Sequence, residues 1–400
     1  VPVDDIIIVE SIKTELLMND DSVPLPPPQK TAGVPTLRWV LPVVTLSWTI
    51  LFSVLVMAAV RIQRWELAPG AAMAVSPRIG FSPASEGESV PQRFTADNGI
   101  RFVTAYGGQL SILDSILGWL DPYVQVNTYT EQFGERTPAS TRRLGYQAMF
   151  GAKQVAEFVA MKKLGLDATF SEGNIVIEEL VCDGAPKEKS ACSVLEVGDT
   201  ITEVNGTKTP TLSVLLKLLP TFTIGQEVSV TVIPYAPPNV ETKKSVKRTI
   251  EIMASPDEAD RPIIGIIPAD TRTVSLPFEV NISTPDIGGP SAGLAFTLAL
   301  LDELTSGNLM GNNRVAATGT INELGAVGPI GALVQKAVAA RDAGITVFLV
   351  PAGQSNEELQ KARKAVGNDV EIVQVASLDD ALTALRDRGG SPLPERITMD

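Results

Sequence analysis

Apolar residues run from Trp39 to Val60 as WVLPVVTLSWTILFSVLVMAAV, 22 residues without a charge between Arg38 and Arg61. At ~1.5 Å of rise per residue this run covers the ~30 Å hydrocarbon core of a bilayer, so the pattern predicts one transmembrane helix over 38–60. A cleaved signal peptide would have a shorter apolar stretch and a cleavage site after it. Residues 1–37 are acidic and carry Pro24, Pro26, Pro27 and Pro28, which oppose a helix, and they read as a disordered tail. Between 61 and 165 the texture is mixed. It predicts a strand at IRFVTAY (100–106), a short amphipathic helix at LSILDSILGWL (110–120) and a longer helix from Thr141 to Lys163. This juxtamembrane α+β segment shows no candidate chemistry and reads as a spacer that positions the rest of the chain relative to the membrane.

From 166 to 255 short strands dominate: NIVIEEL (174–180), DTITEVNG (199–206) and QEVSVTVIPY (226–235), with one helix at TLSVLLKLL (211–219). From 260 to 388 strands and helices mix. A strand, VSLPFEVNI (274–282), precedes the loop GGPSAG (288–293) and a helix, LAFTLALLDEL (294–304). Then come a strand, RVAATGTI (314–321), turn-rich ELGAVGPIG, and a helix beginning near Gly331. The fold class expected is multidomain: a single N-terminal transmembrane helix, a small α+β segment, a β-rich domain and an α/β domain.

Composition narrows the function. A net charge of -13 and 5% aromatic residues leave no basic surface for nucleic acid. No G-x-x-x-x-G-K-[ST] occurs to cradle ATP phosphates, and no cofactor pattern is present. The chain contains no histidine. That excludes Ser-His-Asp and Cys-His catalysis, zinc-protease motifs and any histidine-based metal site. A nucleophilic serine in this chain would need a lysine as its base.

Gly289-Pro-Ser-Ala-Gly293 places a serine, Ser291, between glycines at a predicted strand-to-helix junction. Pro290 suits a first helical turn, which puts Ser291 at a helix N-terminus where free N–H groups can hold an oxyanion. Gly288, Gly289 and Gly293 would let a substrate backbone approach. Lys336 follows 45 positions later, between Ala332 and Ala340 on the helical wheel and on the side carrying Leu333 and Ala337. Burial there would lower the lysine's pKa toward the range of a general base.

VNISTPDIGGPSAGLAFTLAL followed by ATGTINELGAVGPIGALVQKAVAARDAGITVFLVP resembles the proteolytic domain of Lon-type peptidases, which use a Ser-Lys dyad. Leu195-Glu-Val-Gly-Asp-Thr-Ile-Thr-Glu-Val-Asn-Gly206 resembles the L-x-x-G-D-x-I-x-x-V-N-G run of PDZ domains. Taken together, 38–388 is similar to membrane-anchored, ATP-independent PDZ–Lon proteases of bacteria. The resemblance implies a serine endopeptidase with Ser291 as nucleophile, Lys336 as base and Thr318 as a hydrogen-bonding residue that orients the lysine. It implies protein or peptide substrates, a PDZ groove near Thr211–Leu219 and, since related Lon domains form rings, a homo-oligomer; without histidine or a phosphate loop, no cofactor or metal is expected. Two residues depart from the ATP-dependent pattern: Gly288 stands where those enzymes carry an acid before G-P-S-A-G, and Thr320 where T-G-E-I has glutamate. A catalytically silent scaffold that keeps the same folds is the alternative.

Charges near the span leave its orientation open, with Lys30 and Arg38 before it and Arg61, Arg64 and Arg78 after it. Cys182 and Cys192 are the only cysteines, ten positions apart across a polar Gly-Pro loop. A disulfide between them would persist only in an oxidising compartment, placing everything after Val60 outside the cytoplasm. The resemblance implies the same placement.

Overall fold

The computed structural model describes residues 37–84, 90–94, 98–134, 136–182, 188–236 and 244–394. The tail expected over 1–37 lies outside the described residues apart from Leu37. The chain forms two units, divided between Val56 and Met57.

The first unit is described by helix α1 (Leu37–Ala59), which holds Pro42 near its start. Val40–Ala59 is long and apolar enough to cross a membrane, and none of it is buried inside the chain. Its hydroxyls turn back onto the helix: Ser47 Oγ donates to the Val43 carbonyl and Thr49 Oγ1 to that of Thr45, each at 2.8 Å. Such bonds satisfy the hydroxyls within the helix itself.

The second unit begins with β1 (Arg61–Ala74), β2 (Ile79–Ser82), β3 (Arg101–Ser111), α2 (Ile112–Leu120), β4 (Gln125–Thr128) and α3 (Pro138–Lys163). Next come β5 (Thr169–Leu180), β6 (Thr200–Val204), α4 (Leu212–Leu218), β7 (Glu227–Ile233), β8 (Val246–Glu251) and β9 (Ile266–Ser275). The C-terminal part contains β10 (Glu279–Ile282), α5 (Gly293–Glu303), β11 (Val315–Ala317) and α6 (Leu333–Asp342). It closes with β12 (Val347–Pro351), α7 (Asn356–Val366), β13 (Glu371–Val375) and α8 (Leu378–Arg386).

One six-stranded sheet runs β13-β12-β11-β3-β1-β4. Its centre is a parallel join, Ala316 opposite Arg101 and Ala317 opposite Phe102. Segment 61–165, expected to be a spacer, therefore supplies half the strands of this sheet, and its helix α3 packs on α5. The physical reason is that β11 and its parallel neighbours need both edges and both faces covered, and β3 with β1 and β4 extends the sheet where it would otherwise end. Helix α5 is buried at all eleven positions from Gly293 to Glu303. A helix buried on every side, with Asp302 and Glu303 at its end, is a core element.

A second sheet runs β9-β5-β6-β7-β8. Its core follows strand period: Val228, Val230 and Val232 of β7 are buried, alongside Ile175, Ile177, Ile201 and Leu215. Helix α4 packs beside β5 and the edge strand β9. The boundary expected near 255–260 moves to about 275, because β9 pairs antiparallel with β5 from Ile266↔Leu180 to Ser275↔Thr169. The single strand expected over 274–282 is accordingly two strands: β9 ends at Ser275, and β10 pairs instead with β2, Val280 opposite Phe81.

Candidate active site

The serine loop is held from three sides. Strand β10 delivers it, and the Ser283 N–H donates to the Arg78 carbonyl at 2.9 Å. Further on, the Gly289 N–H donates to the Gly145 carbonyl of α3 at 2.7 Å. A Cβ added at Gly288 would stand 3.1 Å from the Gly145 carbonyl carbon and 3.2 Å from its Cα. Loop and helix thus touch backbone to backbone, and a side chain at Gly288 would have to push them apart by a few tenths of an ångström. Gly289 itself has φ +94, the left-handed region that favours glycine.

On the third side, the Ser291 carbonyl accepts from the Gly319 N–H at 2.8 Å and from Thr318 Oγ1 at 3.2 Å. The Thr318 bond therefore runs to the serine's backbone and not to the lysine the resemblance implied; Thr318 is fully buried where it does this. Helix α5 starts at Gly293 with Ala292 as N-cap, so Pro290 precedes the helix and does not form its first turn. The reason is Pro290's own carbonyl, which accepts from the Gly293 N–H at 3.2 Å and closes a turn ahead of the helix. Gly293 does not face the cleft; a Cβ there would meet Ile321 Cγ2 at 3.1 Å, so its role is the contact between α5 and the chain after β11. The N–H groups of Ser291 and Ala292 have no hydrogen-bond partner among the described residues.

Lys336 reaches the same point from α6. Ala332 caps that helix in the left-handed conformation, φ 58, turning the chain sharply in from Pro329–Gly331. Helix α6 lies against β1 and β3, and Lys336 is 5% exposed. Its Nζ donates to Ser291 Oγ at 2.9 Å. Burial lowers its pKa from 10.5 to about 8. Its neighbour Gln335 is buried as well, and its amide donates to the Tyr123 carbonyl at 3.3 Å.

Both side chains open into a cleft of about 680 Å³. One wall is the serine loop from Asp286 to Ala292, with Thr320 nearby; another is Pro329–Ala332. The remaining wall, Gly70, Ala71, Met73 and residues 102–106, comes from β1 and β3, the stretch in which the sequence suggested no chemistry. A second cavity of about 470 Å³ shares Gly289 and Pro290 and runs between α3 and β9. Gly145 and Gly70 are the positions that sequence reasoning missed. A glycine inside a helix costs ~1 kcal/mol, and that cost in α3 was the available signal for a close backbone approach. Beside the second sheet, Cys182, just after β5, and Cys192 form a disulfide with Cα atoms 5.9 Å apart.

A buried lysine in contact with a serine beside unpaired N–H groups is an arrangement suited to nucleophilic attack with stabilisation of an oxyanion. Residues 279–387 match the Lon protease (S16) C-terminal proteolytic domain. The Lon protease of Neorickettsia sennetsu is 38% identical over 113 residues, 28% of this chain and 13% of that protein. Mouse (Mus musculus) peroxisomal Lon protease homolog 2 is 36% identical over 128 residues, 32% of this chain and 14% of that protein. The chain thus spans about one-seventh of these relatives' length. Among solved structures, the PDZ domain of the SdrC-like protein Lmo2051 from Listeria monocytogenes is 23% identical. It covers 25% of this chain and 90% of that chain, with a TM-score of 0.19. Ser291, Thr318 and Lys336 all fall within the Lon-matched residues.

Proposed function

We propose that the chain is a membrane-anchored serine endopeptidase that works with a Ser291–Lys336 dyad and needs no nucleotide. The observation that carries this is the 2.9 Å contact between Lys336 Nζ and Ser291 Oγ, made by a lysine whose charge burial disfavours. As ammonium the lysine donates in that contact; as neutral amine it accepts the serine's proton. Oγ then bonds to a peptide carbonyl carbon, and the resulting oxyanion takes hydrogen bonds from the N–H groups of Ser291 and Ala292. The ammonium returns the proton to the leaving nitrogen as the C–N bond breaks. Water, deprotonated by the same lysine, attacks the acyl carbon, and Ser291 leaves with its proton restored. Thr318 holds the serine's carbonyl and so positions the nucleophile.

The remainder of the reading rests on other parts of the chain. Helix α1 supports a single membrane span. The Cys182–Cys192 disulfide supports an oxidising, extracytoplasmic location for the second unit. The strand-helix order β5, β6, α4, β7 together with the L-x-x-G-D-x-I-x-x-V-N-G run supports a PDZ domain that receives protein substrates beside α4. A homo-oligomer belongs to the same reading.

The test is degradation of an unstructured protein by the full chain in detergent without nucleotide, with labelling by a serine-reactive phosphonate. Wild type should cleave and label; Ser291→Ala should do neither. Lys336→Arg should not cleave, because a guanidinium stays protonated. Cleavage by Lys336→Arg would remove the dyad, and a wild type that neither cleaves nor labels would leave a scaffold.

A further inference from the structure

Helix α2 is built inside out. Its small positions Ser111, Ser115 and Gly118, spaced i, i+4, i+7, are the buried ones. A Cβ at Gly118 would stand 3.0 Å from Val126 Cγ2, so the helix lies tightly on the chain beneath it. The apolar side chains point away: Ile116, Leu117, Trp119 and Leu120 are exposed, Trp119 at 65% and Leu120 at 77%. Amphipathic helices of a soluble domain do the reverse. Elsewhere in the described part of 61–394, exposed large apolar side chains stand singly along the chain. Four in one nine-residue helix form a patch that needs an occupant.

The chain's connectivity says which occupant. Helix α2 is locked to the first residues after α1. The Ile112 N–H donates to the Val60 carbonyl at 3.2 Å, and Gln109 Nε2 donates to the Ile62 carbonyl at 3.1 Å. Arg61 Nη1 donates to the Gln109 carbonyl at 3.0 Å and pairs with Asp114 Oδ2 at 3.3 Å. Ala59 ends the apolar helix. The patch is therefore held beside the point where the chain leaves α1, and it consists of leucine, isoleucine and tryptophan, the residues of interfacial anchors.

We propose that α2 is a second, in-plane membrane anchor: Ile116, Leu117, Trp119 and Leu120 insert into the headgroup–acyl boundary of the leaflet from which the chain emerges. The inference rests on the reading of α1 as the span. Together, span and in-plane helix would fix the orientation of β1 and β3, and with them the cleft wall, against the bilayer surface.

The test uses the full chain in vesicles of phosphatidylcholine and phosphatidylglycerol, without reductant. Three single-cysteine additions, Leu51→Cys, Leu120→Cys and Lys364→Cys, each carry a polarity-sensitive fluorophore, and cleavage of a short soluble peptide checks that each variant is folded. The Leu120 label should lose intensity to shallow spin-labelled lipid and be protected from aqueous iodide. The Leu51 label should be lost to deep spin-labelled lipid, and the exposed Lys364 label to iodide alone. A Leu120 label that behaves like the Lys364 label, while the Leu51 label is lipid-quenched, overturns the in-plane anchor and leaves the span standing. A Leu51 label untouched by lipid overturns the span itself. Energy transfer between Leu120 labels on different copies, without lipid quenching, assigns the patch to a second copy and also overturns the proposal.

Discussion

Lys336→Met should abolish proteolysis and at the same time stabilise the fold. Burial moves the lysine's pKa from 10.5 to about 8. A gap of about 2.5 pH units, at ~1.4 kcal/mol each, corresponds to ~3 kcal/mol of folding free energy lost to holding a charge in that site. The unfolded chain keeps its proton up to pH 10.5, whereas the folded chain releases it above about 8. Between these values the unfolded state binds more protons, so the lysine's contribution to stability rises with pH across that window. Below about 8 both states are charged and the penalty is full; above 10.5 both are neutral and it vanishes. Methionine fills similar space without charge but gives up the bond to Ser291, worth ~1 kcal/mol. The variant should therefore exceed wild type by ~2 kcal/mol at pH 6.5 and lose that advantage by pH 10.5. Urea denaturation of the full chain in detergent, read by pulse proteolysis at both pH values with the disulfide intact, measures the difference. A variant less stable than wild type at pH 6.5, or an advantage unchanged with pH, would refute a desolvated lysine at this position.

Wild-type kcat/KM should climb with pH through about 8, as the amine of Lys336 loses its proton, and a profile flat from 6 to 10 would count against that base. Gly288→Ala should push the serine loop off Gly145 and cut kcat by roughly tenfold or more, while Gly145→Ala, whose Cβ would meet Gly288 Cα at 3.5 Å, should cost little; equal effects would contradict the contact geometry. Thr318→Val removes the 3.2 Å bond to the Ser291 carbonyl and should lower kcat about five- to tenfold with KM unchanged, and a change confined to KM would show that the residue binds substrate instead. Cys182→Ser should destabilise the second sheet by about 2–3 kcal/mol, seen as a lower denaturation midpoint that reductant no longer shifts.

Where local pattern decides structure, sequence and structure agree closely. The buried valines of β7 alternate with the less buried Ser229 and Thr231, α1 is a continuous apolar run, and α5 follows directly from the GGPSAG loop. Ser291 and Lys336 could be paired because a chain without histidine leaves few bases. The cleft wall was different. Strand β1 reads RIQRWELAPGAAMA, with Pro69 and Gly70 in its middle and small residues after them, so neither alternation nor β-branching marks it. Its register with β3 shifts between Pro69 and Ala72, and a Cβ at Gly70 would stand 2.5 Å from the Thr104 carbonyl oxygen. Those features are meaningful only once the partner strand is known. The pairing of β3 with β11 joins residues more than 200 positions apart, Arg101 with Ala316, which no window of sequence can display. The direction in which α2 turns its apolar face is likewise a tertiary fact.

Helix α5 has no exposed residue, and the nucleophile stands two positions before its first turn. Sliding or rotating that helix would mean unpacking the middle of the domain, at a cost comparable to unfolding it. Ser291 is thus a fixed post, and any throttle on the proposed endopeptidase has to act on what approaches the post. The walls that substrate has to pass lie around it: the loop from Asp286 to Pro290, the Pro329–Gly331 turn ahead of α6, and the wall from β1 and β3. Inhibitors or effectors of this chain should accordingly change how fast substrate is captured while leaving the serine's reactivity toward a small phosphonate the same.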